Sequence, residues 1–290
     1  MTIETDSNKW IEEKIKFFRN LSFFEMFKEK TNAELGAHLL GISKADDYWG
    51  ELEENKVLSG WQLLSYDTNR VWLINDSAIL GGVSEFKNNF YKTVLEKLAA
   101  ISLGKFNPLE IKVTECGVCE GRGKRISLAF SCNSKQFELT FCADWEALVL
   151  NFLEELNEVI ADTGYSFEYN LDEYGPCIVL FINEKEKEEL IKAGWIFRHN
   201  PYYWVDKAKK CEETEDMEKA GYYFKKAYAM SPSDMTIACD YGFCLIANSK
   251  KNEGKEIFAK AISLLRDQIE NGNETGSFYL DLFTKEMEKL

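Results

Sequence analysis

From about Asn8 to Lys30, apolar residues return every three or four positions. Trp10, Ile11, Ile15, Phe18, Leu21, Phe24 and Phe27 form one stripe, and Ser7 stands where a helix cap belongs. An amphipathic helix is expected there. Thr31-Asn-Ala-Glu34 then has the spacing of a capping box, in which each side chain satisfies the other's free backbone N–H. Leu35, Leu39 and Leu40 give a short second helix closing at Gly41, and Ser43 can cap a third with Tyr48, Trp49 and Leu52 as its apolar positions. After Gly60 the period shortens. WQLLSY and VWLIN read as two strands across the polar turn Asp67-Thr-Asn-Arg70, and Gly81-Gly82 reads as a joint.

From 83 to 200 the pattern is mixed. SEFKNNFYKTVLEKLAAISL is an amphipathic helix, and LEIKVTE, RISLAFSC and QFELTFC alternate as strands. A long helix starts near Asp144 and ends at Gly164, followed by the strands YSFEYN and CIVLFIN and a short exposed helix from Glu184 to Ala193. The order strand-strand-strand-helix-strand-strand-helix predicts an antiparallel α+β domain. Beyond Pro201 only helical periods remain. At an offset of 34 residues the chain matches itself at Ala208/Gly242, Cys211/Leu245, Ala220/Gly254, Phe224/Phe258 and Ala227/Ala261.

These residues carry two resemblances. The stretch 31–75 resembles a winged helix-turn-helix, with Gly41 at the turn, Ile42 behind it and Val57-Leu58 leading into a two-stranded wing. In that family the third helix and wing present cations and amides to DNA. Here the third helix carries Asp46, Asp47, Glu51, Glu53 and Glu54, against Lys44, with Asn69 and Arg70 at the wing tip. Five carboxylates would meet phosphates, so the resemblance implies the shape, and the charges favour protein contacts over DNA.

The region 201–290 resembles tetratricopeptide repeats. Trp204, Ala208, Cys211, Ala220, Phe224, Ala227 and Pro232 fit the first repeat, and Ala238, Gly242, Leu245, Gly254, Phe258 and Ala261 the second. GSFYLDLFTKEMEKL would cap the stack. In the repeat family the first helix of each pair lines a groove. The matching positions are Tyr202, Val205, Lys209, Glu212, Thr236, Cys239, Phe243 and Ile246, which the resemblance implies as partner-binding. The lysine-and-asparagine clamp that holds chaperone tails in some of these repeats has no counterpart among them.

The expected architecture is therefore multi-domain α+β. A winged-helix-like domain covers 1–82, an antiparallel α+β domain 83–200, and two repeats with a capping helix 201–290. A length of 290 residues and 45% hydrophobic content suit two or three domains with proper cores. Charge narrows the partners. The chain carries 35 basic and 49 acidic side chains, and each of the three regions is net acidic. Such a field repels nucleic acid at long range and attracts a basic protein, or serves only solubility. Eight cysteines without an apolar leader, and no run near the roughly 18 residues of a membrane span, point to reduced thiols in a cytoplasm and no membrane.

Chemistry is sparse. Cys116-Gly-Val-Cys119-Glu-Gly-Arg-Gly resembles the CxxCxGxG unit of DnaJ-type zinc domains. Zinc needs about four ligands, and no second CxxC follows, so either Cys132 and Cys142 complete a site or the segment is a glycine-rich hairpin loop. The histidines are His38 and His199, and no nucleophile elbow, phosphate loop or dinucleotide fingerprint occurs. The expectation is a non-enzymatic protein without a cofactor that docks a protein or peptide, including an inhibitor or immunity type that covers a basic surface. A DNA-binding regulator with a repeat sensor is the alternative.

Overall fold

The computed structural model describes residues 3–45, 60–74, 90–118, 124–143, 147–171, 177–270 and 276–288. The chain forms two compact units, Met1–Arg198 and His199–Leu290. The first is α+β with two small antiparallel sheets, and the second is helical.

In the first unit, α1 (Ile3–Asn20) buries Ile11, Ile15 and Phe18 along the expected stripe, but it includes Ser7, the expected cap, and stops well before Lys30, because Ser22 and Phe24 adopt positive φ. A 3₁₀ turn at Glu25–Phe27 leads to α2 (Asn32–Ala45), which runs on through Gly41 and Ser43, so the expected turn at Gly41 and the cap at Ser43 are corrected to helix interior. The Thr31/Glu34 capping box is formed: the Thr31 amide donates to Glu34 Oε2 at 2.8 Å, and the Glu34 amide to Thr31 Oγ1 at 3.2 Å. The segment read as the first wing strand is a short helix instead, α3 (Gly60–Leu64). Its Leu63 and Leu64 are adjacent in sequence and both enter the same core, whereas a strand would send them to opposite faces. The chain then turns at Asp67, whose carbonyl accepts from the amides of Arg70 and Val71, and enters β1 (Val71–Ile74).

β1 does not close a hairpin with the preceding segment. It pairs antiparallel with β6 (Cys177–Asn183), Val71 opposite Leu180 and Ile74 opposite Cys177. β6 pairs on its other side with β5 (Tyr165–Leu171), giving the order β1-β6-β5. The two-stranded wing is thus corrected to a strand of this larger sheet. The expected joint at 82/83 lies outside the described residues, and elements on both sides of it share a core. β6 shows why: Ile178, Leu180 and Ile182 face a core built with α1–α3, while Val179 and Phe181 face a second core. A strand buried on both faces needs the unbroken apolar run CIVLFI.

The second core holds α4 (Phe90–Ile101), α5 (Ala147–Val159) and the meander β2 (Leu109–Val118), β3 (Lys124–Cys132) and β4 (Lys135–Ala143). Ile126, Leu128, Phe130 and Cys132 alternate inward from β3. Asn133 and Ser134, at φ 50° and 63°, turn β3 into β4 with Cys132 opposite Lys135. Both positive φ values match the tight hairpin turn whose twist suits the strands. The Asn157 side chain brackets β5, donating to Phe167 O at 3.1 Å and accepting from the Phe167 amide at 2.7 Å. After α6 (Glu184–Lys192) the chain returns along β5, where the Arg198 amide donates to Tyr169 O. No helix among the described residues is long and apolar enough to cross a membrane.

The second unit is two antiparallel helical hairpins and a last helix: α7 (Pro201–Glu213), α8 (Met217–Met230), α9 (Met235–Ala247), α10 (Lys251–Glu270) and α11 (Gly276–Glu288). Asn200, Asp216 and Asp234 cap α7, α8 and α9 with their side-chain oxygens. Pro201 and Met235, and Met217 and Lys251, are each 34 residues apart, so both helices of the second hairpin start in register with those of the first.

Candidate functional site

Small residues set the spacing of the second unit. A Cβ built on Gly254 would lie 2.8 Å from the Gly242 carbonyl oxygen and 2.6 Å from Ile246 Cγ1, so the backbones of α9 and α10 nearly touch. A Cβ on Gly242 would meet the Phe258 ring at 3.2 Å. Trp204, Ala208, Ala220, Phe224, Ala227, Ala238, Phe258 and Ala261 are all buried. This packing holds α7 and α9 side by side, and the predicted partner-binding positions lie along them.

Those eight positions divide three ways. Tyr202, Lys209, Thr236 and Phe243 are exposed, Tyr202 by 49% and Phe243 by 43%. Glu212 and Ile246 are half-buried, and Val205 and Cys239 are buried in the seam between helices. The Tyr202 hydroxyl donates to Asp234 Oδ2 at 2.6 Å, and this bond to a carboxylate raises its pKa. The Lys209 ammonium is 3.1 Å from Asp240 Oδ2, tying α7 to α9. Glu212 is held above the ordinary carboxylate range, first by burial and then by the charge of Asp240. Burial pushes the Cys239 thiol up, so it is a poor nucleophile. Phe243 rests edge-on against Phe258, ring centroids 4.8 Å apart, which fixes it while leaving its outer side open.

Asp234 and Asp240 are seam residues that the repeat register alone did not single out. The available signal was the N-cap position of Asp234 and the match of Asp206 to Asp240 at the 34-residue offset. On another side of this unit a cleft of about 520 Å³ runs between α8 and the α9–α10 corner, with Tyr222, Lys225, Tyr241 and Asn248 among its walls.

Sites expected in the first unit fare differently. Asp46, Asp47, Glu51, Glu53 and Glu54, the acidic face of the third helix, lie outside the described residues. Arg70, expected at an exposed wing tip, is instead buried. It donates twice to Glu186 (2.6 and 3.1 Å), twice to Phe181 O (2.8 and 3.2 Å) and once to Leu21 O (2.9 Å). These account for all five of its N–H donors. Its guanidinium also lies 4.3 Å from the Phe23 ring centroid. Arg19 is likewise spent on the fold, donating to Asn32 Oδ1, Phe27 O and Lys30 O. His38 packs edge-on against Phe27.

Cys116 is exposed on β2, with Sγ 3.5 Å from Arg125 O, and Cys119 lies outside the described residues. Cys132, a suggested third ligand, points into the core. Among the described residues no group of three or more His, Cys, Asp or Glu converges as a metal site. No family model, no curated protein and no solved structure matches the chain.

Proposed function

We propose that the chain is a non-enzymatic interaction protein whose second unit is a short tetratricopeptide-type array, with the α7/α9 face docking a protein or peptide partner. The family reading is supported by helix starts repeated at 34 residues and by buried small and aromatic residues at the signature positions. The observation that carries the docking reading is the pair of exposed aromatics, Tyr202 and Phe243, on the first helices of successive hairpins. Each is anchored by one contact, Tyr202 to Asp234 and Phe243 to Phe258, so a partner would meet rings already ordered. Pre-ordered aromatic side chains lose little entropy on binding and are common anchors of interfaces. DNA binding has less support, because Arg70, expected at the wing tip, and Arg19 are engaged within the fold.

The test is affinity purification of the full chain from its native cells beside three variants. Phe243→Ala removes an anchor, Thr236→Trp obstructs the face, and Lys260→Ala alters an exposed residue of α10. Proteins retained by wild type and Lys260→Ala, and lost from the other two, are the expected result. Co-purification indifferent to Phe243 and Thr236 would remove the proposal.

A further inference from the structure

Along the α7/α9 seam, carboxylates outnumber the cations that face them. Asp234, Asp240 and Glu212 follow one another beside Tyr202 and Lys209. Asp234 is fully used, since its Oδ1 caps α9 and its Oδ2 accepts from Tyr202. Asp240 is not. The Lys209 ammonium stands 3.1 Å from its Oδ2 but is not angled as a hydrogen bond, and that oxygen is buried without a hydrogen-bond donor. Lys209 is half in solvent, where such a pair contributes little and is readily exchanged. Glu212 lies one turn beyond Lys209 on α7, so the single Lys209 ammonium serves both Glu212 and Asp240. Thr236, Asp240 and Phe243 share one stripe of α9 by helical spacing, so the exposed ring and the under-served carboxylate lie within one turn of each other.

We infer that the segment docked on this face is cationic, a peptide whose arginine or lysine enters between Glu212 and Asp240 while an apolar neighbour covers Phe243. The inference rests on the docking reading above and adds the chemistry of its occupant. A guanidinium suits the seam best: its planar fork can reach two carboxylates at once, and its aliphatic stem can lie against an aromatic edge. An acidic segment would add negative charge to a strip already short of positive charge, and the buried Val205 and Cys239 of the floor offer it no cation. Tyr202 strengthens the choice, because its hydroxyl is already turned to Asp234 and not outward as a donor to an anion.

Two fluorescein-labelled amphipathic helices serve as probes, one of Leu, Ala and Arg and the other with every Arg replaced by Glu. Each is titrated by anisotropy into the full chain and into three variants: Glu212→Gln/Asp240→Asn, Phe243→Ala, and Glu253→Gln/Glu256→Gln. The last removes two carboxylates from α10, outside the seam, and so matches the change in net charge. The Arg probe should bind wild type and the α10 control alike. It should weaken about tenfold or more in the seam variant, as loss of charge-assisted hydrogen bonds requires, and weaken also in Phe243→Ala. The Glu probe should not bind. Equal weakening in the seam variant and the α10 control would reduce the effect to overall charge and overturn the inference. Phe243-dependent binding of the Glu probe would overturn it while leaving the docking face standing. Binding of both probes indifferent to Phe243 would remove the docking face as well.

Discussion

Replacing Arg70 with alanine should unfold the first unit far more easily than its position in a polar turn suggests. The guanidinium satisfies Glu186, the Phe181 carbonyl and the Leu21 carbonyl at once, and both charged side chains are nearly inaccessible, 4% and 9% exposed. The alanine variant leaves a carboxylate buried without its cation and two carbonyls without donors. Breaking one side of such a pair costs about 3–5 kcal/mol. For a unit of this size that corresponds to a fall in Tm of roughly 10 °C. Glu186 also closes the α6 capping box, its Oε2 accepting from the Asn183 amide at 2.9 Å and its own amide donating to Asn183 Oδ1. Glu186→Leu therefore loses the pair and the cap, the latter about 1 kcal/mol. In the double variant Arg70→Ala/Glu186→Leu no charge remains stranded, so its cost should fall short of the summed single costs by about 2 kcal/mol. Urea unfolding followed by tryptophan fluorescence reports mainly on the first unit, which holds every tryptophan except Trp204. A cost below about 1 kcal/mol for Arg70→Ala, or additive single and double variants, would refute the reasoning.

Gly254→Ala should destabilise the second unit by about 1–3 kcal/mol, because the new methyl would meet the Gly242 carbonyl backbone. Hydrogen exchange of α9 and α10 amides in the full chain, read by mass spectrometry, checks this, and unchanged protection would contradict the close approach. Asp67 accepts the amide of Phe24, a residue held at φ 62°, and burial raises its carboxyl above the ordinary value of 3.8. The folded state therefore binds this proton more tightly than the unfolded one, so its contribution is fully present below the unfolded pKa and is lost as pH rises through the folded pKa. Asp67→Asn should flatten the stability profile in the window from 3.8 upward to the raised pKa, and an unaltered pH dependence of the unfolding midpoint would contradict it. Cys116 is exposed, whereas burial raises the Cys239 thiol and lifts Cys244 to about 11. A thiol reagent at neutral pH, mapped by mass spectrometry, should modify Cys116 in the native protein and leave the other two until unfolding. Equal rates at Cys116 and Cys239 would be wrong for this packing.

The helical hairpins of the second unit were legible in sequence because each helix repeats local information. The 34-residue self-match sets which residues face inward, and Asn200, Asp216 and Asp234 cap the helices in the structure, a signal that the sequence reading did not use. The repeat resemblance pointed to Tyr202, Lys209, Thr236 and Phe243, which are exposed. It could not separate them from Val205 and Cys239, which differ only in facing the adjacent helix. In the first unit the capping box and the order of β2 to α6 followed from period and caps, whereas the stripe from Trp10 to Phe27 concealed the end of α1 at Asn20, where Ser22 and Phe24 at φ 59° and 62° break the helix. WQLLSY misled because a short apolar run carries too few residues to distinguish a strand from one turn of helix. The partner of VWLI is more than a hundred residues away, and nothing in either strand names the other. Arg70 is the same lesson in charge. A cation in a polar turn reads as solvent-facing until Glu186, 116 residues on, is seen to meet it.

The proposed function requires that the α7/α9 face, and not another surface of the chain, meets a partner. A photo-crosslinking phenylalanine analogue placed at Phe243 in the full chain, and separately at Lys260 on α10, tests it directly in the native cells. The account predicts a discrete adduct from position 243, reduced by Glu212→Gln/Asp240→Asn, and none of the same mass from position 260. The same adduct from both positions, or none from 243 under conditions in which the analogue reacts elsewhere on the chain, would contradict it.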